Sequence, residues 1–256
     1  MFDSHVHFDA YPDALGPWGT PARARALGIL GALNPAVDLA SSRRALEVHR
    51  RHPWIRPGCG VHPLFLGELT EPPAADLEAL AKSGAYAAVG EVGLDFGQGR
   101  QDEERQRAFF DAQVRIASRA GLPLVLHLRK AFYEGFAVLR EAGFAGPVVC
   151  HGFTGSRDMA VLALDRGGYL GAGAALLRTG GGRVREVFRW APRGRVLVET
   201  DAPPPTGHPA PGREPWELPT VVEALAETWG MTPQKTAEIT NYNAEQLFSG
   251  RPGGAG

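Results

Sequence analysis

Eight short apolar runs recur along the 256-residue chain, at 2–7, 28–33, 55–61, 86–91, 122–128, 147–151, 169–173 and 195–201. Most are separated by stretches with helical patterning, at 21–27, 37–49, 72–84, 101–120, 131–142, 156–166 and up to about 190, and two further helices follow at 216–229 and 233–248. Short strands alternating with helices pair in parallel through right-handed crossovers. Eight such units, in a chain close to the roughly 250 residues typical of that fold, predict a closed (β/α)8 TIM barrel. No linker divides the pattern, so residues 1–249 read as a single domain and 250–256 as a frayed tail. A doubly wound open sheet is the alternative, but no glycine-rich dinucleotide fingerprint follows the first run; His5-Val6-His7-Phe8 stands there.

Composition narrows the class. Apolar residues at 44% and charged residues at 21% belong to a soluble globular protein, and no apolar run reaches the roughly 18 residues that span a bilayer. Asp3, His5, His7 and Asp9 stand where a signal peptide needs a basic and then an apolar segment, so the expectation is a cytoplasmic protein with no membrane association and no obligate protein partner. Cys59 and Cys150 form no CxxC pair and read as buried thiols. A net charge of -1 makes no global case for a nucleic-acid binder, so such a role must rest on a local patch.

The runs end in an unusual way. His5 and His7 are two residues apart, which puts both imidazoles on one face of an extended strand, with Phe2 and Val6 on the other. His62, Glu91, His127, His151 and Asp201 stand at or just past the ends of other runs, and the C-terminal strand ends are where a barrel places its chemistry. Among these, His5, His7, Glu91, His127, His151 and Asp201 offer nitrogen and oxygen donors without sulfur, a set suited to zinc, manganese, iron or magnesium in a reactive site. Six donors exceed what one catalytic ion takes from protein, so two divalent ions sharing Glu91 fit better. A pair roughly 3.5–4 Å apart would clamp the attacking and leaving oxygens of a phosphoryl transfer.

The motifs Asp3-Ser4-His5-Val6-His7-Phe8-Asp9, Gly60-Val61-His62-Pro63, Gly90-Glu91-Val92-Gly93-Leu94-Asp95, Leu126-His127-Leu128-Arg129, His151-Gly152-Phe153-Thr154-Gly155, Glu199-Thr200-Asp201-Ala202-Pro203 and Asn243-Ala244-Glu245-Gln246-Leu247-Phe248 resemble the TatD family of metal-dependent hydrolases over nearly the whole chain. The resemblance implies a TIM-barrel deoxyribonuclease with two divalent ions, zinc, magnesium or manganese, and DNA or another phosphate ester as substrate. It makes His5, His7, Glu91 and Asp201 ligands of one ion, and Glu91, His127 and His151 ligands of the other. Asp201 would also orient the nucleophilic water or take its proton. Glu199 either orients a ligand or a water or is an interior charge paired with a basic neighbour. His62 either contacts a phosphate or leaving oxygen or is a loop histidine bonded to backbone. Arg129 either holds a phosphate or forms a surface ion pair.

Two stretches depart from the family pattern. Gly212-Arg213-Glu214-Pro215 stands where members commonly read Arg-Asn-Glu-Pro, and Gly171-Ala172-Gly173-Ala174 replaces a more serine-bearing run. Both bear on substrate contact. Arg178, Arg183, Arg185, Arg189, Arg193 and Arg195 against Glu186 alone give 178–195 a net charge of +5, either a phosphate-steering patch or a solvated helix. Phe8, Tyr11, Phe65 and Trp216 are candidate base-stacking aromatics that could equally cover apolar surface. Other chemistries compatible with the ligand set are hydrolysis of an amide, ester or lactone, and a catalytically silent metal-binding scaffold.

Overall fold

The computed structural model describes residues 1–178, 182–203 and 214–249, so the expected tail lies outside the described residues. Eight strands follow one another in chain order around one parallel sheet: β1 Phe2–Asp3, β2 Gly31–Asn34, β3 Ile55–Cys59, β4 Ala88–Asp95, β5 Leu124–Arg129, β6 Val148–Cys150, β7 Tyr169–Ala172 and β8 Val196–Val198. Alternating with them or following β8 are α1 Thr20–Ala26, α2 Leu39–Arg51, α3 Ala74–Lys82, α4 Glu103–Ala120, α5 Phe132–Glu141, α6 Arg157–Leu164, α7 Gly182–Trp190, α8 Leu218–Trp229 and α9 Pro233–Phe248. This is the (β/α)8 TIM barrel. No helix among the described residues is long and apolar enough to cross a membrane.

Local chemistry explains the elements. Strands β2, β4, β6 and β8 are buried throughout, as strands covered on both faces must be. Helix α4 turns Phe109, Phe110, Val114 and Ala117 inward and ends at Gly121, whose φ of 66° suits a residue without Cβ. Asp38 and Ser41 form a capping box at the start of α2, while Ser156 and Thr232 cap α6 and α9 through their hydroxyls. Both cysteines are buried and free.

Inside the barrel, Phe2, Leu33, Ala88, Val125, Val149 and Leu197, one from each of six strands, form an apolar layer with Ala244 and Phe248 of α9. Helix α9 thus closes the floor. Phe248 stacks on Phe2 with ring centroids 6.0 Å apart, and Asn243 donates to the carbonyls of Arg193 and Val196, at 2.8 Å each.

Several expected strand limits move. The run at 2–7 keeps ladder pairing only at Phe2–Asp3, and β8 stops at Val198, three residues short. The seam between them is nevertheless closed by backbone hydrogen bonds from Ser4 N to Val198 O (2.9 Å), Asp201 N to His5 O (2.8 Å) and His7 N to Ala202 O (2.7 Å). Strand β4 is longer than expected, so Glu91 lies within it rather than at its end. The seam is locked from inside by Asp3, which accepts from Thr200 Oγ1 at 2.6 Å, Thr200 N at 3.1 Å and His5 N at 3.2 Å. Replacing Thr200 by Val leaves the buried Asp3 Oδ2 without its hydroxyl donor. We expect a loss of about 1–3 kcal/mol, read as a lower urea midpoint at unchanged m value.

Candidate metal centre

Strand alternation lifts the reactive residues directly above the floor. Val125, Val149 and Leu197 are followed two positions later by His127, His151 and Glu199. Glu91 arrives differently. Between Val89 and Val92 two residues of β4, Gly90 and Glu91, stand against one of β5, Val125, a bulge that re-aims the intervening side chains. Gly93 then passes so close to β5 that a Cβ there would lie 2.1 Å from His127 O.

The Glu91 carboxylate, 4% exposed, divides the surrounding imidazoles between its two oxygens. His5 Nε2 and His7 Nε2 lie 3.3 and 3.4 Å from Oε2, and 3.2 Å from each other. His127 Nδ1 and His151 Nε2 each lie 2.7 Å from Oε1, and are also 3.2 Å apart. His62 Nε2 is 3.4 Å from Oε1. Asp201 Oδ1 faces the first pair, 3.7 Å from His5 and 3.9 Å from His7. A cavity of about 560 Å³ opens over His127, His151, Glu199 and Asp201.

Electrostatics favour positive charge at this centre. Burial acts to raise Glu91, but the charges of His151, His5 and His62 and the hydrogen bond with His127 outweigh it and hold the carboxyl well below its ordinary range. Burial acts to lower His7, yet its hydrogen bond to Glu91 and the charges of Glu91 and Asp201 carry it up to about 9. His151 and His127 are raised in the same way, against the burial that opposes them. Burial prevails at His5 and His62, which fall below the ordinary imidazole value.

A family model described as TatD related DNase matches residues 2–249. The chain belongs to the TatD-related DNase family. It is 34% identical to the 3'-5' ssDNA/RNA exonuclease TatD of Salmonella typhimurium, over 97% of this chain and 98% of that protein. It is 36% identical to the metal-dependent hydrolase TatD of Mycobacterium tuberculosis, itself uncharacterized, over 97% of each chain. The crystal structure of the TatD homolog YJJV from Escherichia coli superposes with a TM-score of 0.88 at 26% identity, covering 98% of both chains.

In this TatD-family barrel the far nitrogen of each histidine shows which nitrogen is left for the centre. His7 Nδ1 meets the Pro35 carbonyl at 3.1 Å and so carries hydrogen, leaving Nε2 as the nitrogen that faces Glu91. His127 Nε2 meets Asp95 Oδ2 at 2.9 Å, leaving Nδ1 to face inward. His62 is the reverse case: its Nδ1 accepts from Leu64 N at 3.1 Å, so the inward Nε2 carries the proton. His5 Nδ1 and His151 Nδ1 are buried without a hydrogen-bond partner among the described residues, and Glu199 lies beside both.

Other expected residues divide. Glu199, fully buried, accepts from Gly152 N and from Ser4 Oγ, and its basic neighbour is His151 of the centre itself, whose Nδ1 lies 3.7 Å from Oε1. Gly171, in one departing stretch, leaves room for it, since a Cβ there would lie 2.2 Å from Glu199 Oε2. Arg129 lines the cavity with its guanidinium 4.0 Å from Asp95. The arginine patch does not act as a unit. Arg185, Arg193 and Arg195 bond to the carbonyls of Leu176, Trp229 and Gly167, whereas Arg178 and Arg183 line cavities. Phe8 is buried in the core and cannot stack a base, and Trp216 is covered by Arg23, 3.8 Å from its centroid. Tyr11 donates to Glu214, while Phe65 is half exposed against His62. Gly212 and Arg213 lie outside the described residues.

Asp95 is the residue that sequence reasoning passed over. It shares strand parity with Glu91 and Gly93, a signal that could have found it. Its carboxylate is buried, accepts from Gly97 N at 2.7 Å and fixes His127. Replacing Asp95 by Ala should weaken divalent-ion affinity about 10–100-fold, as measured by competition with a chromophoric chelator. Replacement by Asn, whose carbonyl still accepts the Nε2 proton, should retain most of it.

Proposed function

We propose that this chain is a deoxyribonuclease in which two divalent ions, zinc, magnesium or manganese, share the Glu91 carboxylate. His5, His7 and Asp201 would hold one ion with Oε2, and His127 and His151 the other with Oε1. The observation that carries this reading is the division of four imidazoles between the two oxygens of one buried carboxylate. The donor set fits, because imidazole nitrogens converge in pairs at 3.2 Å with carboxylate oxygens and no sulfur, and in each pair one ring, His7 or His127, is fixed by a bond at its far nitrogen. When bound, such ions polarise a phosphodiester and make water nucleophilic at neutral pH. The relatives' exonuclease names support removal of nucleotides from a 3' end of single-stranded DNA.

The chain's own groups supply the proton movements. Asp201, about a third exposed at the cavity edge, takes the proton of the attacking water. His62 presents Nε2–H inward because its Nδ1 accepts from Leu64 N, which suits it to donate a hydrogen bond to the leaving oxygen and excludes it as a ligand. Arg129 holds non-bridging oxygens. Glu199 acts through His151 as a positioning residue, and the Gly152 amide that it accepts fixes its own place.

Metal-loaded protein should shorten 3'-tailed single-stranded DNA, and Glu91→Ala should lose both bound metal and turnover. His62→Ala should keep its metal while kcat falls about 10²–10⁴-fold. That defect should shrink on bis(4-nitrophenyl) phosphate, whose leaving group needs no proton. Turnover surviving in Glu91→Ala would sink the bridging assignment, and unchanged kcat in His62→Ala would remove it as the donor to the leaving oxygen.

A further inference from the structure

Beside the reaction cavity lies a second one of about 510 Å³, to which the chemistry above gives no task. The two share Leu128, Lys130, His151, Gly152 and Thr154 as lining, so one opens alongside the other. Their characters differ. The reaction cavity carries three cations, Arg129, Lys130 and Arg178. The second is floored by Leu126, Phe132, Phe153 and Met159, with Arg183 and the Tyr133 ring, 56% exposed, in its lining. Its one carboxylate, Glu134, is already paired with Arg100.

Lys130 stands between them in a backbone conformation that does not suit lysine. Its φ of 53° is left-handed, a placement that is unfavourable for a residue with a Cβ. The ammonium gains little in return, since its one hydrogen bond among the described residues is a 3.5 Å contact with Gly97 O. Cations beside the scissile position, followed by an apolar cavity with an exposed aromatic ring, form the sequence of contacts that a single polynucleotide strand offers: phosphate, then base.

We propose that the second cavity is a nucleobase subsite. It receives the base of the nucleotide next to the scissile phosphate, with Tyr133 stacking on it and Lys130 holding the connecting phosphate. The assignment rests on the nuclease reading: a base enters such a cavity only when unpaired and unstacked, which gives the single-stranded substrate proposed above a place to bind.

The test compares kcat/KM on a single-stranded 12-mer with that on bis(4-nitrophenyl) phosphate, which has no base. Lys130→Gly suits the left-handed backbone and Tyr133→Ala removes an exposed ring, so neither disturbs the fold. Tyr133→Ala should lose about five- to a hundredfold on the 12-mer, the equivalent of one base stack, with the base-free diester unchanged, and Lys130→Gly should lose several-fold more on the 12-mer than on the diester. An oligonucleotide lacking the base beside its terminal linkage should erase the difference between wild type and Tyr133→Ala. Unchanged 12-mer cleavage in both variants, or an equal loss on the diester, overturns the subsite and leaves the nuclease reading standing. A wild-type protein that cleaves the diester but no oligonucleotide overturns both.

Discussion

A buried carboxylate at the centre of the barrel sets the terms for everything around it. Removing Glu91 from water is costly unless its charge is matched and its oxygens are bonded. The imidazoles of five histidines meet that demand, and they reach it from strand ends on both sides of the barrel. Because β1 and β8 join only through irregular backbone bonds beyond their ladders, the side chains that serve Glu91 also depend on that seam. Asp3 ties the two together: it accepts from both His5 N and Thr200 N, the residues on either side of the join. Fold closure and site assembly are therefore one event in this chain.

One residue type does several jobs here because the outer partner of each ring differs. A carbonyl at Pro35 and a carboxylate at Asp95 each take a ring hydrogen and leave the other ring nitrogen facing inward. A backbone amide at Leu64 does the opposite and turns a hydrogen inward. Cluster membership alone groups His62 with Glu91 and His127 as candidate ligands. The Leu64 amide separates them, since a neutral ring that accepts at Nδ1 has no second lone pair to give. What His62 offers the centre is thus set in the loop after β3, outside the ring of charged groups.

The fold was legible because eight apolar runs of strand length alternate with amphipathic helices, and no other common architecture absorbs that pattern. Much of the site was legible for the same reason: His127, His151 and Glu199 sit two positions above a floor residue, and alternation is a local rule. Glu91 and Asp201 obey no such rule. One is turned inward by a bulge and the other sits at φ 54°, and neither irregularity has a one-residue signature. Phe8 and the arginines after Arg178 were ambiguous because counting charge or aromatic content along a chain does not say which way each side chain points. Tertiary contacts decided it, drawing Arg185, Arg193 and Arg195 to carbonyls. Asp95 was visible through parity with Glu91 but carried no chemistry of its own until its contact with His127 was seen.

Backbone strain gives a last, independent indication of where this barrel works. Ten described glycines take positive φ, most of them at turns where any Cβ would be unwelcome. Among described residues with side chains only Lys130 and Asp201 do so, at 53° and 54°, and both lie just past strand ends on the face that carries Glu91. Asp tolerates the left-handed region better than most residues, whereas a lysine there gains nothing local. Glycine would relax either position without altering a strand. Keeping a carboxylate at one and an ammonium at the other makes sense where each side chain acts on something outside the protein, the first on the reacting atoms and the second on the strand that brings them.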